Sequence, residues 1–480
     1  MNQHIEQAID NFRQSAVRYA KTERYYRGDH DLAFATEKFE NAFGTLFREF
    51  AMNLCPAICD AVKDKLRIEG FGVNNSFPDE RTTPSAETPT PLLRKEGSLI
   101  RTLPDGRVSA RNAGSLSSVI DHIWFRNRMQ QRAGEIHKEA LKNGDAYAIV
   151  WYDARGEVTI YPHRATNVTV QYDEDSPGRI AWAAKYWRTA DRHTRLNLFF
   201  PDRIERYVTK KEFDAAMPDA SEFVTLSPKS NVQGPKQDDP EQPWTLDIGP
   251  WTLPNPFGIV PVFHFANNSD VGCLGQSELA AAIPIQDGLN KSILDMLVAM
   301  EFSAFRQRWA SGLEVDYDDA GQAIAPFKAG IERLWVSSDP QTTFGEFNTT
   351  NLEQFLKVKD SFRVDMASVT GTPLHYFLQT TRSVASGESL KQNETRFLAK
   401  VRDRQTAFGQ TWAELMSFAL RLAGSPDVDL ITHWEDPAPS TERDTLQNLL
   451  LKKRLGVSTE QALKEAGYGE IDVKKMRSEK

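Results

Sequence analysis

The sequence predicts an α+β protein in which a β-rich region lies between two helical regions. Apolar residues recur at helical spacing through residues 1–70 and through most of the second half of the chain. Residues 146–210 instead carry short runs of β-branched and aromatic residues separated by turn sequences. In the second half, two long helical patterns flank a small module. Together these patterns predict helical and sheet layers in one chain.

The N-terminal region is predicted to be helical up to two glycines, Gly70 and Gly72. Its first helix follows the spacing of Ile5, Ile9, Phe12, Ala16 and Tyr19, and a second is expected from about Phe47 to Leu66. Residues 74–117 are rich in Pro, Ser, Thr and Gly and lack apolar periodicity, which predicts a long or partly disordered insert with a small hairpin at Pro104-Asp105-Gly106. A helix with a break then runs from Leu116 to Asn143.

The middle of the chain is predicted to form an antiparallel sheet. Five strand patterns are present, at residues 146–152, 157–161, 167–172, 180–188 and 194–200. The turn sequences between them are short, which favours antiparallel pairing of neighbours. Residues 214–258 follow as a polar, Pro-rich connection.

The second half is predicted to be mostly helical. A long helix is expected from Ser277 to Trp309, with a kink or a late start at Pro284 because proline lacks a backbone donor. The remaining predicted elements are a small mixed module at 313–347, a shorter helix at 350–370, a long helix that ends at Leu422, a strand at 428–434, and helices at 441–455 and 458–466. The last of these opens with the capping box Ser458-Thr459-Glu460-Gln461.

Composition excludes several classes of protein. The 480 residues carry 58 Lys and Arg against 66 Asp and Glu, a net charge of −8. A protein that coats nucleic acid is usually basic, so a DNA-coating role is disfavoured, although a local basic strip remains compatible with the total. Three cysteines are too few for a disulfide framework, which favours a reducing compartment. No apolar run is long enough for a membrane span, and the N-terminus does not resemble a secretion signal.

No motif in the sequence indicates catalysis. The chain has no Gly-Lys dipeptide and therefore no P-loop. Gly275-Gln276-Ser277-Glu278-Leu279 lacks the second glycine of a nucleophile elbow, so Ser277 is interpreted as a helix N-cap. The nine histidines are scattered, and Cys55 and Cys59 have no second cysteine pair with which to bind zinc. The loop at Asp316 lacks the glutamate that a calcium loop needs at its twelfth position. We therefore expect no catalytic residue, cofactor or metal.

One loop allows two interpretations. Residues 372–386 join the shorter helix to the very long one, and Arg382 lies near the tip of this loop. A loop held between long helices is suited to be a mobile element on a rigid frame. The alternative interpretation is a plain connector.

Several stretches of the sequence occur in an order that identifies a family. They are Tyr25-Tyr26-Arg27-Gly28-Asp29-His30, Asp64 to Phe71, Leu198 to Ile204, Asn255 to Val262, Gly275 to Leu279, Ile285-Gln286-Asp287-Gly288-Leu289-Asn290, Ser386 to Lys391, and Asp403-Arg404-Gln405. In these stretches the chain resembles the portal proteins, or head-tail connectors, of tailed double-stranded DNA phages, in the branch that infects Gram-positive and actinobacterial hosts. The resemblance covers most of the chain but not residues 74–117.

The resemblance implies the phage portal fold and a ring oligomer. The implied parts are N-terminal helices plus a β-rich wing (1–276, with the insert 74–117 and the connection 214–258), a stem helix (277–312), a small mixed clip (313–349), a second stem helix (350–371), a tunnel loop (372–386) and a long helix with a helical crown (387–480). In such a ring, usually of twelve subunits, DNA passes through the central channel during packaging and ejection.

The resemblance also implies partners and a location. These are other copies of the chain, double-stranded DNA, the terminase large subunit, the head-tail adaptor, and the major capsid and scaffolding proteins, at the portal vertex of a virion assembled in the host cytoplasm, with no membrane. The alternatives are another structural head protein or a virion enzyme that processes nucleic acid. An enzyme of this kind needs clustered carboxylates or a histidine-metal set, and neither is evident.

Six residues are candidates for the implied contacts. Arg382, Lys357, Lys359 and Arg363 are candidates for DNA contact in the channel, and solvated helix charge is the alternative interpretation of these cations. Trp309 and Trp335 are candidates for contacts between subunits because of their positions near the clip.

Overall fold

The fold was analysed in a computed structural model. The structure describes residues 3–31, 41, 52–73, 98–102, 108–112, 116–176, 178–213, 217–225, 252–270, 274–304, 308–312, 319, 340–346, 351–378, 394–438, 442–459 and 462–463. Helices and strands both contribute to the core of these residues, so the predicted α+β class is confirmed.

Two helices and a strand form the N-terminal part. Helix α1 spans Gln3–Arg27, and helix α2 spans Cys55–Lys63. The second helix starts later than predicted because Pro56 occupies its first turn, where the missing backbone donor costs nothing. Strand β1, Ile68–Val73, was not predicted, and it pairs antiparallel with a strand more than 350 residues later.

The predicted hairpin in the insert is present. Strands β2 (Ser98–Thr102) and β3 (Val108–Asn112) pair antiparallel, and the predicted turn Pro104-Asp105-Gly106 between them lies outside the described residues. The predicted helix from Leu116 to Asn143 is broken into α3 (Leu116–Arg126) and α4 (Met129–Asn143). The break lies at Arg128, whose φ of 54° is left-handed and interrupts the helical hydrogen bonding.

The β-rich region contains two antiparallel sheets. The larger sheet has the order β10-β9-β8-β7-β6, with β11 also on β9, and the smaller has the order β12-β4-β5. The strands are β4 (Asp145–Tyr152), β5 (Val158–Arg164), β6 (Val168–Tyr172), β7 (Ile180–Arg188), β8 (Thr194–Phe199), β9 (Arg203–Thr209), β10 (Phe223–Thr225), β11 (Thr252–Pro254) and β12 (Val262–Ala266). The five predicted strands are confirmed, whereas β9 to β12 were not predicted.

The long helix of the second half is shorter than predicted. Helix α5 spans Ile283–Ala304, and strand β13, Arg308–Ser311, follows it. The predicted start at Ser277 and end at Trp309 are therefore wrong, although the late start expected from Pro284 is confirmed. Residues 277–282 form turns that place Pro284 in the first helical turn, and Trp309 lies in β13, which pairs with β14, Thr343–Glu346.

Helix α6 returns alongside α5, and the C-terminal elements complete the fold. Helix α6 spans Leu352–Thr370, α7 spans Thr395–Leu422, β15 spans Leu430–Trp434 and α8 spans Glu442–Arg454. Gly288 of α5 lies directly against the Phe362 ring of α6, since a Cβ at this glycine would lie 2.8 Å from the ring. The largest hydrophobic core packs α7 against α4 and the smaller sheet, around the fully buried Trp412.

Candidate functional site

A buried carboxylate joins four separate parts of the chain at the beginning of β4. Asp145 is fully buried and accepts hydrogen bonds from Arg18 (2.6 Å) and Tyr19 (2.7 Å) of α1. It also accepts from the backbone N–H of Gly275 at 2.7 Å and pairs with His264 Nε2 of β12 at 2.8 Å. Although burial alone disfavours the charged carboxylate, these donors hold the pKa of Asp145 below its ordinary value. We call this set of residues the Asp145 cluster.

The Asp145 cluster extends to the larger sheet through His264. The other ring nitrogen of His264, Nδ1, lies 2.7 Å from the hydroxyl of Tyr172 on β6. The Tyr147 ring stacks on His264 with 4.7 Å between the ring centroids. Burial, with the Asp145 charge adding to it, raises the pKa of Tyr172 to about 12, so this phenol stays neutral. The two sheets and α1 are thus joined by one chain of hydrogen bonds.

A second buried carboxylate links the start of the α5 region to α7. Glu278 is 8% exposed at its side chain and pairs with Lys400 at 2.5 Å and with Arg404 at 3.0 Å. Asn267, which follows β12, donates to the same Glu278 at 3.2 Å. Burial opposes ionisation, but the two cations hold the pKa of Glu278 below its ordinary value. The glutamate is therefore a charged link between two helical segments.

Polar side chains on the first turns of α5 connect this helix to the N-terminal part. Asp287 accepts from the Tyr25 hydroxyl at 2.7 Å, and Asn290 lies 2.7 Å from His30 Nδ1. Gln286 accepts from the backbone N–H of Leu54 at 2.9 Å. All three α5 side chains are buried. The base of α5 is thus held by a set of specific hydrogen bonds, which buried polar groups require.

Backbone packing fixes the turn before α5. Gly275 lies so close to Gly144 that a Cβ on Gly275 would lie 2.0 Å from the Gly144 carbonyl oxygen. Gly144 has a φ of 96° and ends α4, a conformation that favours glycine. Ser277 accepts a hydrogen bond from the backbone N–H of Leu279 at 3.0 Å, which supports its predicted capping role, although at the 277–282 turns rather than at α5 itself. Residues 144 and 275–279 therefore form one tightly packed junction.

These contacts bring together most of the stretches that identified the family in the sequence. Tyr25 and His30, Gly275 to Leu279, Asp287 and Asn290, and Arg404 all meet at the base of α5. Asp145 and His264 were missed by sequence reasoning. The only signal for Asp145 was an acidic residue at the start of an apolar strand, which also fits an ordinary turn. The arrangement contains charge pairs and hydrogen bonds that hold helices in place.

The three predicted channel cations that lie on α6 differ in exposure. The Lys357 side chain is 75% exposed and pairs with Glu353 at 3.0 Å. Arg363 is 17% exposed, pairs with Asp360 at 3.1 Å, and lies 3.6 Å from the Met52 sulfur. Lys359 is partly exposed and forms no ion pair within the part of the chain that the structure describes. Arg363 is thus more covered than Lys357, and Arg382 lies outside the described residues.

Trp309 covers a glycine on the β13–β14 ribbon. It is 42% exposed and lies opposite Gly345, where an added Cβ would be 2.4 Å from the indole. Phe344 is 44% exposed and, by strand alternation, projects from the other face of the ribbon. Each face therefore carries one exposed aromatic side chain. The second predicted contact residue, Trp335, lies outside the described residues.

The described residues contain no group of three or more side chains suited to bind a metal ion. Burial raises the pKa of the Cys55 thiol to about 12 and that of Cys59 in the same direction. Both cysteines are free and buried, as their interpretation as small core residues predicts. None of the helices described has the length and apolar character that crossing a bilayer requires.

The chain is similar to solved structures whose titles name a gene transfer agent (GTA) particle. Among solved structures, the chain is similar to one titled "Neck of native GTA particle computed with C12 symmetry", with a TM-score of 0.40 and 14% identity over 73% of this chain and 84% of that one. A second, titled "Virion of native gene transfer agent (GTA) particle", has a TM-score of 0.38 and 13% identity over 71% of this chain and 80% of that one.

Two curated relatives are similar at the level of sequence. The portal protein of Mycobacterium phage D29 is 27% identical over 252 residues, which are 49% of this chain and 52% of the relative. The portal protein of Mycobacterium phage L5 is 26% identical over 252 residues, with 49% and 51% covered. The chain thus spans about half the length of the curated relatives it matches. The family model "Phage portal protein, SPP1 Gp6-like" matches residues 107–479, more than three quarters of the chain.

Proposed function

The chain belongs to the SPP1 Gp6-like family of phage portal proteins, and on that premise we propose that it forms a ring at one vertex of a phage capsid, through which DNA enters and leaves. The observation that carries the proposal is the family match, which begins before α3 and includes the smaller sheet, the α5–α6 pair and α7. The junction at the base of α5 supports it, because a helix pair that lines a passage must keep its position while DNA moves.

The proposed ring is supported by exposed apolar side chains on α5, α6 and the β13–β14 ribbon. These are Met300 (46% exposed), Trp309 (42%), Phe344 (44%), Leu356 (52%), Val358 (43%), Val364 (48%) and Val369 (48%). A neighbouring subunit that covered these side chains would remove apolar surface from water. In a head-to-tail ring each subunit contributes two different faces, so side chains on opposite faces of the ribbon can meet two neighbours. Trp309, with Trp335, remains our proposed subunit contact.

The proposed channel would bind DNA weakly. Helix α6 carries three acidic and three basic side chains, Glu353, Lys357, Lys359, Asp360, Arg363 and Asp365, so this helix has no net charge. Twelve subunits at −8 each carry about −96, which repels the phosphate backbone overall. Lys357, Lys359, Arg363 and Arg382 are the cations that we propose to steady the duplex, and Arg363 is less accessible than Lys357.

The remaining parts and partners are assigned on the same premise. The wing would comprise residues up to 276, the stem 277–312 and 350–371 with helices α5 and α6, and the clip 313–349. The tunnel loop would be 372–386, and the long helix α7 with the crown would be 387–480. The clip would meet the terminase large subunit during packaging and the head-tail adaptor afterwards, and the wing and crown would face the major capsid and scaffolding proteins. The protein would then be a structural component of the virion, assembled in the host cytoplasm.

Immunogold labelling of virions whose tails have been removed tests the proposed location. An antibody against the β13–β14 ribbon or the exposed α3 surface should label one site per particle, at the vertex where the tail was attached. Label distributed over the whole shell would indicate another structural head protein. Nuclease activity that tracks with the purified chain and is lost on mutation of its own carboxylates would indicate the enzyme alternative.

A further inference from the structure

A wide groove lies between the larger sheet and α7 on the face away from α4. It encloses about 1450 Å³ and is bordered by the β6–β7 turn, residues 258–270, the outer face of α7 and the loop before β15. Six carboxylates line it, namely Asp173, Glu174, Asp270, Glu414, Asp427 and Asp429. None of them forms an ion pair with another described residue. We call this feature the acidic groove.

The acidic groove also has apolar surface. Ile180 and Ile259 contribute to one wall, and Ile259 is 40% exposed. Only two arginines, Arg179 and Arg421, line the groove against the six carboxylates. A groove lined by apolar side chains and by an excess of acidic ones is suited to bind an amphipathic segment that carries positive charge.

Helix α8 has the complementary surface. Leu450 is 62% exposed, Leu451 is 53% exposed, and Leu455, which follows the helix, is 83% exposed. At 3.6 residues per turn these leucines fall within an arc of about 140°, and Arg454 lies inside the same arc. Lys453 borders it, and both cations are exposed. Among the described elements none packs extensively against α8, so this apolar and basic face has no described cover.

We propose that the α8 helix of one subunit docks in the acidic groove of the next subunit of the ring. A helix of 13 residues is about 20 Å long and about 10 Å across, a size similar to that of the groove, so the open groove can take one face of the helix. Within one chain, the groove is bordered by the residues just before β15, whereas α8 begins after the opposite end of that strand. Helix α8 therefore does not start beside the groove of its own chain. A contact of two different surfaces repeats from subunit to subunit and closes a ring. The inference rests on the proposed ring and specifies one of its contacts.

Charge reversal with rescue in trans tests the contact. The groove variant is Glu414→Lys with Asp429→Lys, and the helix variant is Lys453→Glu with Arg454→Glu. Either variant alone should lower the ring fraction, measured by light scattering, at least about tenfold, because like charges would then face each other. An equimolar mixture should restore the ring, since alternating subunits place opposite charges in every contact.

The outcomes separate this contact from the proposed function. If each variant alone forms rings as the wild type does, the groove contact is wrong and the ring stands. If only a chain that carries all four substitutions recovers, and the mixture does not, α8 lies in the groove of its own chain and the contact between subunits is wrong. If the wild type stays monomeric, the proposed ring itself fails. Asp10→Lys with Asp121→Lys, two exposed acids outside the groove, is the control and should leave the ring unchanged.

Discussion

Asp145 is a residue on which four contacts between separate segments depend. Its carboxylate pairs with Arg18 and His264 and accepts from Tyr19 and Gly275. Asp145→Asn would leave these donors without a charged acceptor in a buried site. We expect a loss of about 3 to 5 kcal/mol of stability and a clear fall in Tm in calorimetry.

The control for Asp145 is an aspartate of an exposed ion pair. Asp219 is 75% exposed and pairs with Arg13 at 2.5 Å. Asp219→Asn should cost about 1 kcal/mol or less, because water screens exposed pairs. Equal effects of the two substitutions would show that the Asp145 cluster does not stabilise the junction.

His137 gives a prediction for the dependence of stability on pH. It is fully buried, accepts from Trp412 Nε1 at 2.9 Å, and stacks on Phe408. Burial lowers the pKa of His137 to about 3. The unfolded chain therefore binds a proton near pH 6.5 while the folded chain does not, so stability from this group is full above pH 6.5 and is lost as the pH falls toward 3.

His137→Gln keeps an acceptor for Trp412 and removes the titration. Between pH 6.5 and 5 the wild type should lose about 2 kcal/mol more than this variant. Thermal unfolding across that interval measures the difference in slope. An unchanged slope in the His137 variant would contradict the buried neutral histidine.

At the scale of elements, the contact between the end of α4 and the turn before α5 holds these two segments closely together. A methyl group on Gly275 would lie 2.0 Å from the Gly144 oxygen, and backbone atoms cannot move aside cheaply. Gly275→Ala should therefore destabilise the protein by on the order of 3 kcal/mol, measured by chemical denaturation.

Gly134 offers a matched control for this substitution. It lies within α4, and a Cβ there would meet no atom within 4 Å. Gly134→Ala should stabilise by about 0.5 to 1 kcal/mol, because alanine favours the helix. A neutral Gly275→Ala would show that the junction adapts and does not fix α5.

The β13–β14 ribbon allows assembly to be separated from folding. Trp309→Ala removes an indole that is 42% exposed, so the Tm of the monomer should change little. If the indole lies between subunits, the fraction of rings should fall about tenfold, as measured by sedimentation velocity. Phe125→Ala on α3 is the control for loss of an exposed aromatic side chain, because Phe125 is 62% exposed, and it should leave the fraction of rings unchanged. A wild-type ring fraction in Trp309→Ala would contradict the proposed contact.

Local patterns predicted the elements that depend on neighbours in sequence. The apolar stripe from Ile5 to Tyr19 predicted helix α1, and the turn sequence Pro104-Asp105-Gly106 predicted the pairing of β2 with β3. The pairing of β1 with β15 was not predicted. The two strands lie more than 350 residues apart, and nothing in the sequence of one strand indicates which strand is its partner. The junction was missed for a similar reason. An acidic residue such as Asp145 suggests a solvated turn until its burial is known.

At the scale of the whole molecule, the net charge bears on the proposed passage for DNA. The proposed ring would carry about −96 and would repel DNA overall, so the few α6 cations should affect transit more than equilibrium binding. Lys357→Gln with Lys359→Gln should leave ring mass unchanged and alter the rate of packaging in a packaging reaction. Glu353→Gln, on the same helix, controls for loss of an exposed charge. An unchanged rate in the lysine variant would exclude these residues from DNA contact.

The mass of the purified protein, measured by light scattering after size exclusion with images of the same fraction, tests the central claim most directly. Twelve subunits of 54.2 kDa give about 650 kDa, and we expect a particle near this mass that appears as a ring with a central opening. A monomer or dimer that cleaves DNA in the presence of a metal ion would contradict a passage for DNA and would favour an enzyme.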